Sequence, residues 1–194
     1  MRTVCVFCGS SPGARPEYAR ATEAFGQLLA AENIGVVFGG GGVGLMGKLA
    51  DAVLAQGGQI TGVIPHALVD REIGHRGVED MRVVDSMHER KALMAELADA
   101  FVALPGGIGT LEELFEIFTW SQLGLHDKPL ALLDVEGYYE RIGAFLDHAV
   151  RERFLSAQQR AGLIVERDAD RLLERLRAYE PDAVEPKWID RDET

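Results

Sequence analysis

Short apolar runs alternate along this chain with longer stretches in which apolar residues recur every three or four positions. Thr3 to Phe7 reads as a strand and Pro16 to Asn33 as a helix, with proline in the first turn, where its missing N–H is tolerated. Gly35 to Phe38 is a second strand, closed by four glycines. A helix then runs from about Leu45 to Gln56 and stops at Gly57-Gly58. Gln59 to Ile64 is a third strand, Pro65 to Asp80 a mixed loop, and Met81 to Val84 a fourth strand. Ser86-Met87-His88-Glu89 has the form of a capping box, opening a helix that carries Arg90 and Lys91. A buried strand at Ala100 to Leu104 follows, then a glycine turn. The next helix, to about Gly124, keeps Leu111, Leu114, Phe115 and Phe118 on one face. Pro129 to Val135 is a strand and Tyr138 to Arg153 a helix. A short helix, a strand at Leu163 to Glu166 and a helix from Asp168 to Tyr179 come last. Repeated strand–helix units predict an α/β fold, an open parallel sheet with helices on both faces. Residues 1–180 are expected to form a single α/β domain, and 181–194 an acidic C-terminal tail.

Composition narrows the class. Of 194 residues, 47% are hydrophobic and 26% charged, as in soluble globular proteins. A net charge of −11 argues against broad binding to nucleic acid or an anionic membrane. No run is long enough to span a bilayer and no signal-peptide pattern opens the chain, so a cytoplasmic location is expected. Cys5 and Cys8 lie within or at the end of a strand, where a spacing of three puts them on opposite faces. Buried thiols fit better than a redox pair. The five histidines lack paired-ligand spacing, so no metal site is expected.

The chemistry concentrates in Pro105-Gly106-Gly107-Ile108-Gly109-Thr110-Leu111-Glu112-Glu113. Glycines let backbone approach a ligand, and the free N–H groups of the following helix favour an anion. Glu112 and Glu113 are expected in that first turn. Thr110-x-x-Glu113 also fits a capping box, which would make Glu113 structural. Gly42-x-Gly44-x-x-Gly47 matches a dinucleotide fingerprint, but the acid after the next strand is missing. Gly42 to Lys48 matches a phosphate loop, but Leu49 replaces the magnesium-holding hydroxyl. Two readings remain for that segment, a tight packing turn or a glycine-lined wall of the same pocket. Arg90 lies near a helix N-terminus, against the macrodipole, which hints at an anion nearby. Glu72 is explained equally well by a loop salt bridge with Arg71.

Met87-His88-Glu89-Arg90-Lys91 followed by Pro105-Gly106-Gly107-Ile108-Gly109-Thr110-Leu111-Glu112-Glu113 resembles the LOG (Lonely Guy) family pattern. Cys8-Gly9-Ser10-Ser11, Gly40 to Gly47, Arg71-Glu72-Ile73 and Thr119 to Gly124 support it. The resemblance implies a Rossmann-like homodimer or higher assembly without cofactor, metal or nicotinamide. It implies a hydrolase that cleaves the N-glycosidic bond of purine nucleoside 5′-monophosphates, cytokinin-type or AMP, giving free base and ribose 5-phosphate. Arg90 and Glu113 would be catalytic. Glu72, Arg90, Lys91, Gly107, Ile108, Gly109, Thr110, Leu111, Glu112, Glu113 and Thr119 would contact substrate. The rival from another class is a non-catalytic nucleotide-binding or carrier protein. A lysine decarboxylase needs a Schiff-base lysine, and none of Lys48, Lys91, Lys128 and Lys187 stands out as one.

Overall fold

The computed structural model describes residues 1–72 and 74–181, and of residues 70–72 the backbone alone. The expected tail therefore lies outside the described residues, apart from Pro181. Seven strands form one sheet: β1 (Thr3–Phe7), β2 (Gly35–Phe38), β3 (Ile60–Pro65), β4 (Asp80–Val84), β5 (Ala100–Ala103), β6 (Leu130–Leu133) and β7 (Leu163–Glu166). Every pairing is parallel and the order is β4-β3-β2-β1-β5-β6-β7. The central register sets Val4 against Val36 on one side and Ala100 on the other.

The α-helices among the described residues are α1 (Pro16–Ala31), α2 (Gly44–Ala55), α3 (His66–Glu72), α4 (Met87–Leu97), α5 (Ile108–Gln122), α6 (Glu140–Arg151), α7 (Ala157–Gly162) and α8 (Ala169–Arg177). A parallel sheet must be covered on both faces, and alternation along β1 does this. Val4, Val6 and Cys8 pack with Phe25 and Leu29 of α1, Leu49 of α2 and Leu172 of α8. Cys5 and Phe7 pack with Met94 of α4, Leu114 and Phe118 of α5 and Leu146 of α6. Each fully buried Phe or Leu contributes about 1.5–3 kcal/mol. Leu49→Ala, at a position with no exposure, would cost about 2–5 kcal/mol through the cavity it leaves.

Two local expectations need correction. The Pro65 to Asp80 stretch is not all loop: β3 extends to Pro65 and α3 follows directly, after which Gly74 bridges to Gly41. A seven-residue helix shows too few turns for a clear period. At α4, Ser86 Oγ does accept from the Glu89 N–H (3.1 Å). Glu89 reaches back past the cap, however, to the N–H of Asp85 (2.8 Å). The reciprocal box forms instead at Ser156 and Gln159, opening α7.

The strand order places the site. From β1 the chain builds outward to β4, then returns to the other side of β1 with β5. The connections after β1 and β5 therefore leave in opposite directions, opening a crevice at the carboxyl ends of the strands. Among the described residues no helix is long and apolar enough to cross a membrane.

Candidate active site

The crevice is built around the Pro105–Gly107 turn. Leu104 N–H donates to Phe7 O (2.9 Å) and Gly9 N–H to Pro105 O (3.1 Å), tying the turn after β5 to that after β1. Gly106 is obligatory, since a Cβ there would fall 2.1 Å from Thr110 Oγ1 and 2.9 Å from Gly9 N. Gly107, in extended conformation, caps α5 without a side chain. Leu111 N–H donates to Gly107 O (3.1 Å). Among the described residues nothing accepts from the N–H groups of Ile108, Gly109 and Thr110. These are the orphan donors of a helix start, backed by its positive dipole end.

Because α5 begins at Ile108, Glu112 and Glu113 fall in the second turn rather than the first. Thr110-x-x-Glu113 is accordingly no capping box: Thr110 is already inside the helix, buried beneath Gly106. Removing the cap role leaves Glu113 for other duty.

The other glycine segment behaves differently. Leu45 N–H and Met46 N–H, at the start of α2, both donate to Gly9 O (3.0 and 3.3 Å). Their donors are spent within the protein, which fits neither a dinucleotide nor a phosphate loop. Gly44 has φ +60°, and a Cβ there would fall 2.2 Å from the Ser10 carbonyl carbon. The segment is a packing turn that also lends Met46 to the wall of the crevice. Lys48 points elsewhere, pairing with Glu23 at 2.9 Å.

Arg90 is 5% exposed. Its Nε donates to Val63 O (3.1 Å), within β3, and its Nη2 to Gly39 O (3.2 Å), just after β2. Nη2 also lies 3.6 Å from Glu113 Oε1. Two carbonyls thus fix the guanidinium while its charge faces the Glu113 carboxylate, the anion that its place near the start of α4 hinted at. Lys91, 7% exposed, pairs instead with the neighbours of Glu113 on α5. Its Nζ lies 2.5 Å from Glu112 Oε1 and 2.8 Å from Glu116 Oε2. Burial pulls its pKa down, but pairing with the Glu112 and Glu116 carboxylates outweighs this and leaves it raised.

These elements enclose a cavity of about 310 Å³. It gathers Arg90, Gly107, Ile108, Gly109, Thr110, Glu112 and Glu113 from the expected set. Lys91, Leu111 and Thr119 are not among its walls. Leu111 packs on the core, and Thr119 is exposed, its hydroxyl donating to Phe115 O (2.7 Å). The side chain of Glu72 lies outside the described residues, at the end of α3, whose Leu68 lines the cavity. Sequence reasoning did not single out Leu68, Met46 or Met87 as walls. The M-x-E-R-K segment was itself the available signal for Met87. Burial first, and the charge of Glu113 second, raise the Cys5 and Cys8 thiols above their usual range, so Cys8 on the cavity wall stays protonated. Among the described residues no cluster of His, Cys, Asp and Glu could hold a metal.

A family model described as possible lysine decarboxylase matches residues 46–176. A protein of Oryza sativa subsp. japonica named as a probable cytokinin riboside 5′-monophosphate phosphoribohydrolase is 50% identical over 188 residues, 96% of this chain and 75% of that one. An Arabidopsis thaliana cytokinin riboside 5′-monophosphate phosphoribohydrolase is 47% identical over 180 residues, 93% of this chain and 84% of its own. Among solved structures, the molybdenum cofactor carrier protein of Chlamydomonas reinhardtii superposes with TM-score 0.70 at 18% identity, covering 92% and 99% of the two chains. The last likeness shows the shared Rossmann-like fold. Identity near one half across almost the whole chain shows more, and the chain belongs to the LOG (Lonely Guy) family.

Proposed function

We propose that this chain hydrolyses the N-glycosidic bond of purine nucleoside 5′-monophosphates, as the names of its plant relatives imply for theirs. The observation that carries the reading is one cavity holding both the free N–H groups at the start of α5 and the Arg90–Glu113 pair. The first part suits a phosphate, held by Gly107 to Thr110. The second suits a sugar losing its base: positive charge builds at C1′, and the Glu113 carboxylate stabilises it while Arg90 holds that carboxylate in place. Water supplies hydroxide to C1′, and the departing purine takes the proton.

Lys91 and Glu112 are occupied with one another, so any ribose or phosphate contact by Lys91 requires that pair to open. Thr119 sits about 15 Å along α5 from Gly109 at 1.5 Å per residue. On this reading a substrate contact by Thr119 would be made from a second copy of the chain, in the homodimer the family resemblance implies. Exposed Leu123 and Leu125, just beyond α5, supply apolar surface for such an interface.

The decarboxylase description fits the residues poorly. Lys48 pairs with Glu23, Lys91 with Glu112 and Glu116, and Lys128 Nζ donates to Ala95 O (2.7 Å). Lys187 lies outside the described residues. No described lysine lines the cavity for a pyridoxal Schiff base. The carrier reading shares the fold, but fold does not select function. Incubation with a panel of purine nucleoside 5′-monophosphates, followed by chromatography, tests the proposal. Free base and ribose 5-phosphate in equal amounts are expected, and tight binding without turnover would return the carrier reading.

A further inference from the structure

A second cavity of about 280 Å³ backs onto the first, sharing Gly9, Ser10 and Gly107, and Tyr18 and Tyr138 line it. From this side the Tyr138 hydroxyl donates to Gly106 O (2.5 Å). The ring is itself held edge-on by Tyr18 (centroids 5.5 Å apart, 77°) and by Tyr139 (5.1 Å, 89°). Tyr139 in turn donates to Leu104 O (2.6 Å), at the end of the strand that feeds the turn.

The peptide between Gly106 and Gly107 is trans, so its C=O and N–H point in opposite directions across one plane. Flanking glycines leave that plane little steric restraint of its own. We infer that Tyr138 is a positioning residue for the anion anchor: by holding Gly106 O on its own side, it aims the Gly107 N–H into the catalytic cavity. There that N–H joins those of Ile108, Gly109 and Thr110. Among the described residues no acceptor within the protein competes for it. The inference rests on the phosphate-anchor reading above and adds a residue from outside the cavity to it.

Tyr138→Phe removes the hydroxyl and keeps the ring packing. Specificity constants for AMP and adenosine are measured for wild type, Tyr138→Phe and Tyr139→Phe. For Tyr138→Phe the AMP-to-adenosine ratio should fall about 3- to 10-fold, through KM for AMP, with adenosine cleavage unchanged. Tyr139→Phe, which loosens the buried strand end, should lower thermal stability and leave the ratio at the wild-type value. An unchanged ratio in Tyr138→Phe, equal losses on both substrates, or the same fall in Tyr139→Phe would overturn the inference. A wild type that cleaves AMP and adenosine equally would remove the anchor itself, and with it both readings.

Discussion

Replacing Gly109 by alanine sets backbone preference against ligand chemistry. Gly109 is the second residue of α5, its φ lies outside the left-handed region, and a Cβ there would meet nothing within 4 Å. If α5 were only a packing helix, alanine would be the better residue, by up to about 1 kcal/mol in a helix interior and about half that in a first turn. For a chain of this size 0.5 kcal/mol raises the melting temperature by about 1–2 °C. A helical Cβ tilts toward the N-terminus, however, and here that direction is the cavity which Gly109 lines. The methyl would keep a phosphate oxygen from at least one of the free N–H groups. Losing one charge-assisted hydrogen bond costs about 1.5–3 kcal/mol, or about 10- to 100-fold in specificity constant. The expected outcome is a protein slightly more stable than wild type and much poorer on AMP, with adenosine cleavage changed far less. Thermal melting and steady-state kinetics on one preparation decide it. Raised stability with undiminished AMP turnover would refute the assignment of this turn as the anchor.

Other substitutions probe the supports. Lys91→Met leaves the partly exposed Glu116 and its half-exposed neighbour Glu112 without their cation and should destabilise by about 1–2 kcal/mol in thermal melts. Because the folded pKa of Lys91 is raised, the difference from wild type should be full at neutral pH and shrink as pH climbs past the ordinary lysine value. Gly44→Ala should cost at least about 3 kcal/mol by denaturant titration, since its φ and the Ser10 backbone both exclude a side chain. Asp99 accepts from the N–H groups of Arg2 (2.6 Å) and Thr3 (3.0 Å), and the Arg2 bond foremost holds its pKa below the usual value. It contributes stability above the ordinary aspartate pKa that is lost as pH falls through the depressed one. Asp99→Asn should therefore lose about 1 kcal/mol or less, discounted for exposure, at pH 7, and the difference should shrink as pH falls below the ordinary aspartate value.

Much of this fold was legible because its central strands, β1, β2, β5 and β6, are almost entirely buried and its glycines punctuate them. Thr3–Phe7, Gly35–Phe38 and Leu163–Glu166 are strands within the bounds their apolar runs suggest. The capping-box reading of α5 sets its start three residues late, at Thr110 rather than Gly107, because a glycine cap leaves no side-chain signature while Thr110 and Glu113 mimic one. Helix α3 was missed since its Leu68 faces the cavity rather than the core, which breaks the usual apolar period. The neighbours of Arg90 could not be read locally at all. Its carbonyl partners are 27 and 51 residues away in sequence, and the sheet order alone brings them together. The Lys91 pairing is hidden for the same reason, depending on how α4 faces α5.

Glu113→Gln tests the central claim most directly. The substitution keeps side-chain size, and no cap is lost, because Glu113 lies in the second turn of α5. Adenine release from AMP should fall at least about 100-fold, the scale expected when a charged stabiliser of the transition state is removed. AMP affinity by calorimetry should stay within a few-fold of wild type. Adenine release at the wild-type rate from a folded Glu113→Gln protein would contradict the account.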